Sequence, residues 1–299
     1  MKKLTPNNHN HYFFSYPGNK RKEVLNLIEK FEALKNFDEI DTIIEPFCGT
    51  SAFSYYLNLK YPNKYKFILN DTSHIINGIN TFVKSASEED LNNFEGEIYD
   101  AITLVKDDKA LYNSYVKNTK IFKWELVGRL YYAMHFGLFP NKTICESKFY
   151  IFKDKRNYID FLKSDNVKLT NIDGIKYLCL DEDNQLNANN VFMYLDPPYI
   201  LTDNTEYKQE INTQNFYQFC YERQNYLKSD IYFKPTFFLN IIKNWLVDAV
   251  FSKLYKLDSY AIQYAKRNSF KKGANEINQH YILCNKIYEN KNIGKIFIY

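Results

Sequence analysis

The chain has 299 residues, is 45% hydrophobic and 18% aromatic, and carries a formal net charge of +4. That is enough apolar material for a large packed domain, or for one domain carrying a smaller inserted one, and too much for a disordered chain. The charge leans mildly toward an anionic partner, and no apolar run approaches the ~20 residues needed to cross a bilayer.

In chain order, the start "MKKLTPNNHNHYFF" has no signal-peptide core, and His9 and His11 read as part of a solvated segment rather than as metal ligands. Val24, Leu25, Leu27, Ile28, Phe31 and Leu34 recur at helical spacing in "KEVLNLIEKFEALKNF". "DTIIEPFCGT" is a short β-branched run ending in a Pro- and Gly-containing turn, and "SAFSYYLNLKY" after it reads as a helix. "YKFILND" predicts a second strand and "SHIINGINTFVKSA" a second crossover helix. Strand, helix, strand, helix implies parallel strands.

After about residue 85 the pattern becomes helical through "IFKWELVGRLYYAMHF", in which Trp124 is expected in the core, as is Trp245 further on. Strand-like runs return at "NVKLTNID" and "NVFMYLD", then at "TFFLN", "KLDSYAIQYA" and "NQHYILCNKIY". The last two alternate and suit an antiparallel pair. A sheet is thus begun, interrupted by a helical insertion, and completed. The five cysteines are scattered without C-x-x-C spacing, so neither a disulfide framework nor a zinc site is expected, and a reducing cytoplasmic location fits.

Two segments carry chemistry. In "IIEPFCGT" a strand ends in an acid and a tight turn and then opens a helix, which places backbone N–H groups at the edge where open α/β sheets bind nucleotides. Asp71, at the end of the second strand, is placed to accept both hydroxyls of a ribose. A full G-x-G-x-x-G is missing, which argues against NAD or FAD. S-adenosylmethionine, with a ribose and no pyrophosphate, needs less glycine.

The other segment is "DPPY", Asp196–Tyr199, after an apolar strand. An exocyclic aromatic amine is a poor nucleophile because its lone pair is delocalised into the ring. The Asp196 carboxylate and the Pro197 carbonyl could accept its two N–H bonds, Pro197 and Pro198 stiffening the turn, while Tyr199 stacks on the ring.

At these motifs the chain resembles the Dam-like DNA adenine-N6 methyltransferases, over nearly all of its length. "YPGNK", "EPFCGTSAF", "LNDTSHIINGINTF", "NIDGIKYL", "DPPY", "TFFLN" and "KRNSFKKGANEINQHYILCN" are similar to that family's motifs in order. The resemblance implies a Rossmann-like methyltransferase sheet with helices on both faces and an inserted, mainly helical target-recognition domain. It assigns residues 1–84 and 151–299 to the S-adenosylmethionine-binding catalytic domain and 85–150 to the insertion. It implies a cofactor pocket built from Tyr16, Pro17, Gly18, Lys20, Glu45, Pro46, Phe47, Gly49, Asp71, Asp173 and Asp196, and catalysis by Asp196, Pro197, Pro198 and Tyr199.

In the insertion, "HFGLFPNKT" offers Phe136 and Phe139 for apolar contact with bases, Asn141 for a base edge and Lys142 for phosphate. Two positions depart from the family pattern. Ser51 stands where a second glycine is usual, and Pro140 stands at the place of an arginine, so recognition is expected to differ at least partly from the family's GATC. The expected partner is double-stranded DNA; whether a cognate restriction endonuclease acts on the same site is not written in the sequence. Two other classes compete, an RNA base-amine methyltransferase and a non-catalytic nucleic-acid-binding relative. The long insertion counts against the first and the intact DPPY against the second.

Overall fold

The computed structural model describes residues 11–14, 20, 21, 23–105, 108–117, 121–135, 152, 155–174, 190–197, 236–242, 260–268 and 277–284. Its frame is a seven-stranded sheet: β1 (Thr42–Glu45), β2 (Lys66–Asn70), β3 (Val167–Thr170), β4 (Val191–Leu195), β5 (Thr236–Ile242), β6 (Tyr260–Asn268) and β7 (Ile277–Cys284). The order is β3-β2-β1-β4-β5-β7-β6. Strands β1 to β5 are mutually parallel, and β7 runs antiparallel between β5 and β6. The antiparallel pair expected at the end of the chain is therefore present, with a register irregularity between Gln263 and Ala265.

Register assigns the faces. Ile43 pairs with Phe67 and with Phe192, and Tyr194 pairs with Phe238, so these side chains share one face. They belong to the main apolar cluster together with the described helices. Ile44, Val191, Met193, Leu195, Phe237 and Leu239 alternate onto the opposite face and are buried as well. Burial on both faces explains why β4, "VFMYL", is apolar throughout rather than alternating.

Helices α1 (Val24–Glu32), α2 (Ala52–Lys60) and α3 (His74–Ser85) lie where periodicity places helices, α1 before the first strand and α2 and α3 as crossovers. Phe31 of α1 meets Phe192 at a ring separation of 4.6 Å, and Phe53 of α2 stacks on Tyr194 at 4.7 Å. Helix α2 buries every residue from Ala52 to Leu57, because it has cover on two sides. Phe53 faces the sheet, while Tyr55 packs against Tyr158 and Phe161 of α7 (Arg156–Lys163). That last helix has its own signal, Tyr158, Ile159, Phe161 and Leu162 on one face, which the sequence reading passed over. Lys84 Nζ of α3 donates to the carbonyls of Leu162 and Ser164 and so closes the end of α7.

Beyond α3 come α4 (Glu88–Val105), α5 (Lys109–Tyr112) and α6 (Phe122–His135). Ser87 and Asp90 start α4 with a capping box: the Ser87 hydroxyl accepts from the Asp90 N–H, and Asp90 Oδ2 accepts from the Ser87 N–H. Leu91, Phe94 and Ile98 of α4 and Leu126 and Val127 of α6 join the same apolar cluster as the sheet. Trp124 is partly buried against that cluster and stacks on Tyr115; Trp245 lies outside the described residues.

One expectation is corrected. His11 is not solvated: its ring is 7% exposed and stacks on Tyr55 at 5.2 Å. The aromatic run Tyr12–Phe14 is buried beside it, so this stretch is carried into the core by its neighbours. His9 lies outside the described residues. Among the described residues, no group of His, Cys, Asp and Glu could hold a metal ion, and no helix is long and apolar enough to cross a membrane.

Candidate active site

Strand order reverses between β1 and β4, so their connections leave in opposite directions and a crevice opens beyond their C-terminal ends. Glu45 ends β1, Asp71 follows β2 and Asp196 follows β4, so all three acids collect at this edge.

The turn after β1 is held from several sides. Gly49 and Ser51 both adopt positive φ, 49° and 50°. Glycine takes that conformation freely, whereas a serine there costs roughly 1–2 kcal/mol. Ser51 therefore occupies a glycine position by conformation as well as by motif, and the tight turn survives the substitution. The Thr50 carbonyl accepts from His11 Nε2 at 2.8 Å and from the Tyr158 hydroxyl at 3.3 Å. Burial lowers the His11 pKa to about 4, so at neutral pH the ring is uncharged. Burial also pushes the Cys48 thiol well above its ordinary value, which makes it an unreactive part of the turn.

Asp71 closes the turn from the β2 side. Its Oδ2 accepts from the Gly49 N–H at 2.8 Å and its Oδ1 from the Ser73 N–H at 2.8 Å. Each oxygen keeps a further lone pair, and the residue is only half-buried. Burial raises its pKa to about 6 against the pull of the two backbone N–H groups. The turn and the candidate ribose acceptor are thus one unit.

Asn70, which the sequence reading did not single out, ties this unit to β3. Its Nδ2 donates to the carbonyls of Pro46 (2.9 Å) and Ile172 (2.7 Å), and its Oδ1 accepts from the Thr170 hydroxyl and the Ile172 N–H, both at 2.9 Å. All four bonding positions of a fully buried amide are filled. The signal was present in "ILND": an amide one residue before the acid, on the strand's buried face. Asp173 stands exposed beyond β3. The neighbouring Gly174 lies under the Phe47 ring, where an added Cβ would come within 2.3 Å of ring carbon. Only glycine lets these two loops approach so closely.

Across the crevice, Lys20 Nζ meets Asp196 Oδ2 at 2.5 Å, with both side chains largely buried. Lys20 sits just before α1, where its carbonyl accepts from the Glu23 N–H, and the Phe31–Phe192 contact seats that helix against β4. Glu45 lies close enough to feel both charges, but Oε1 is bound to α2 through the Ser54 N–H at 3.0 Å and the Ser54 hydroxyl. Burial raises the Glu45 pKa to about 8, so near neutral pH it is mostly protonated and the Lys20–Asp196 pair is not confronted by a full second negative charge. Pro46 and Pro197 are buried beside these acids. The structure thus brings together Lys20, Glu45, Pro46, Phe47, Gly49, Asp71, Asp173, Asp196 and Pro197 along one edge. Tyr16, Pro17, Gly18, Pro198 and Tyr199, and the insertion residues Phe136, Phe139, Asn141 and Lys142, lie outside the described residues.

The family model of D12 class N6 adenine-specific DNA methyltransferases matches residues 16–231. The chain belongs to this family. Comparison with curated proteins returned no match. The match runs from the YPGNK segment through DPPY, so it spans both walls of the crevice. A D12 class enzyme methylates adenine N6 in DNA, and this chain is accordingly an adenine-specific DNA methyltransferase. Its parallel five-strand core flanked by helices is consistent with a methyltransferase fold.

Proposed function

We propose that the protein transfers the methyl group of S-adenosylmethionine to the N6 amine of an adenine flipped out of duplex DNA. The observation that carries this reading is the meeting of Lys20, Glu45 and Asp196 at the switch point, one loop away from the Asp71–Gly49 unit. The residues fit the cofactor. A half-buried carboxylate with free lone pairs follows β2, where a ribose lies in such sheets. The edge carries the Asp71 and Asp196 carboxylates against Lys20, with Glu45 held mostly neutral, which suits a cationic sulfonium better than a polyphosphate.

When bound, S-adenosylmethionine supplies an electrophilic methyl on a sulfonium. The protein's part is orientation. Asp71 holds the ribose hydroxyls while it braces the turn. The Asp196 carboxylate accepts an N–H of the target amine, and the Pro197 carbonyl accepts the other. This draws the nitrogen lone pair out of the ring, toward the methyl. Pro198 keeps the turn stiff and Tyr199 stacks on the flipped base. Tyr16, Pro17 and Gly18 complete the cofactor pocket beside Lys20, with Phe47 and Asp173 toward the adenine end.

An adenine inside a duplex has to leave the stack, which costs a few kcal/mol. Residues 85–150 supply the recognition surface, with Phe136 and Phe139 against bases, Asn141 on a base edge and Lys142 on phosphate, and Pro140 moves the site away from strict GATC. A restriction endonuclease reading the same site would be its partner if the enzyme serves a restriction–modification system.

The test is transfer of labelled methyl from S-adenosylmethionine to duplex DNA, single-stranded DNA and RNA of one sequence, with the product identified as N6-methyladenine. Activity on duplex DNA that Asp196→Ala abolishes supports the reading. Preference for RNA, or full activity of a folded Asp196→Ala protein, overturns it.

A further inference from the structure

We propose that Asn240 is a substrate-binding residue, its side-chain amide donating a hydrogen bond to a ring nitrogen beside the amine of the target adenine. The inference rests on the function proposed above. Asn240 belongs to the C-terminal half of β5 and is 1% exposed. Neither its Nδ2 nor its Oδ1 has a hydrogen-bond partner among the described residues. An unmatched buried amide is costly, and folded proteins rarely keep one without a use for it. Asn70, an equally buried amide at the same sheet edge, fills all four of its positions. Other buried atoms among the described residues also lack a partner, but Asn240 is the side chain there with two such atoms, and it needs an explanation.

Its place in the fold supplies one. Leu195 and Leu239 are register partners on parallel neighbouring strands, so Asn240 and Asp196 follow as adjacent positions. Phe238 packs on Phe192 at 4.9 Å, which fixes the face that Phe238 presents. Two residues further along each strand, Asn240 and Asp196 fall on that same face, on the side of the sheet where Lys20 and Glu45 meet Asp196. β5 also lies on the side of β4 away from β1 and β2, hence away from the Asp71 turn. A methyl acceptor belongs on that side, because the donor occupies the other.

The chemistry of the amide matches this position. Asp196 and Pro197 offer only acceptors, which suit an amine but do not distinguish the ring that bears it. The ring nitrogens that flank adenine N6, N1 and N7, are both acceptors and call for a donor. An amide supplies one without adding charge beside Asp196. Guanine presents a carbonyl in place of the amine and, on its N1 side, an N–H in place of the acceptor, so it would meet mismatched groups.

The experiment uses the full chain and a duplex carrying its site, the target adenine being replaced in turn by 1-deazaadenine and 7-deazaadenine. Wild-type protein is expected to lose about tenfold in kcat/KM on one of the two analogues. Asn240→Leu removes the amide at similar volume. It is expected to lose about tenfold on normal adenine and to show no further loss on that analogue. Its melting temperature should stay the same or rise, because an unmatched buried amide has been removed. Binding of S-adenosylmethionine, measured without DNA, should be unchanged.

A wild-type enzyme indifferent to both analogues overturns the inference, as does an Asn240→Leu protein that keeps the full analogue penalty. A fall of several degrees in melting temperature, or failure to fold, overturns it too, since the amide would then be structural. Absence of any DNA methylation by the wild type would instead strike at the proposed function itself.

Discussion

Lys20 and Asp196, far apart in sequence, form a buried ion pair at 2.5 Å between the approach to α1 and the end of β4. The contact joins the start of the matched family region to its DPPY segment across the crevice. Removing one member leaves the other charged and buried, which costs about 3–5 kcal/mol, whereas removing both costs much less. Lys20→Met should therefore destabilise the protein to urea by about 3 kcal/mol, and adding Asp196→Asn should restore a good part of it. Additive losses in the double variant would show that the pair is not coupled.

Glu45 makes stability fall as pH rises. Its pKa in the fold is about 8, above the usual carboxylate value, so the folded state holds a proton that the unfolded state has released. This contribution is complete below about pH 4.5 and is lost as pH rises through about 8. Asp71, at about 6, acts in the same direction over a lower range. Urea denaturation of wild type between pH 6.5 and 8 should show a declining midpoint, and Glu45→Gln should flatten it. A flat wild-type profile in that window would contradict the burial argument.

His11 acts with the opposite sign. Its pKa is lowered to about 4, so the folded state excludes a proton that the unfolded state binds below about pH 6.5. Its contribution is complete above pH 6.5 and is lost as pH falls through 4. The groups that repel a proton there are Arg21 and Lys155, while Tyr55, Tyr56 and Tyr158 enclose the ring. His11→Phe should shrink the acid-side loss of melting temperature. It should also weaken S-adenosylmethionine binding several-fold, because the Thr50 carbonyl loses its 2.8 Å donor. Calorimetry with the cofactor alone reads the second effect.

Ser51→Gly is expected to stabilise. The left-handed conformation at φ 50° is one glycine adopts without steric cost, worth about 1 kcal/mol here. The melting temperature should rise by a few degrees with cofactor affinity unchanged. A lower melting temperature would mean that the hydroxyl, not the backbone, sets the balance at this turn.

Asn70→Ala removes four hydrogen bonds at once and takes the amide donor from the buried Pro46 carbonyl. A loss of about 2–4 kcal/mol follows at ~1 kcal/mol per bond, together with weaker cofactor binding, since the loops after β1 and β3 come apart. Asp71→Ala should lose binding in the same assay for two reasons, the ribose contact and the Gly49 N–H. Asp71→Asn, which keeps one acceptor, should lie between. Equal binding by Asp71→Ala and wild type would remove Asp71 from the site.

Apolar spacing alone marks the strands of the sheet and the acids at its edge. Periodicity is a local property, so β1, β2 and β4 and helices α1, α2 and α3 could be read from apolar spacing, and a strand's end fixes where Asp71 and Asp196 emerge. The substitution at Ser51 was visible as a serine standing in a glycine's place, but its strain appears only in the φ of 50° that the fold imposes. What only the tertiary structure decided is which partner each group has. His11 looked solvated because polar residues precede it; it is buried because the aromatic run that follows it docks and Tyr55, Tyr56 and Tyr158, distant in sequence, close around it. Asn70, the last residue of β2, and Asn240, in the C-terminal half of β5, are the same residue type in one sheet. One is saturated by loops that converge on it and the other has no partner among the described residues, a difference of long-range contacts that no local pattern encodes. Glu45 reads as one more site acid, yet its burial under α2 makes it a proton holder near pH 7, because desolvation depends on what covers a carboxyl and not on what precedes it in the chain.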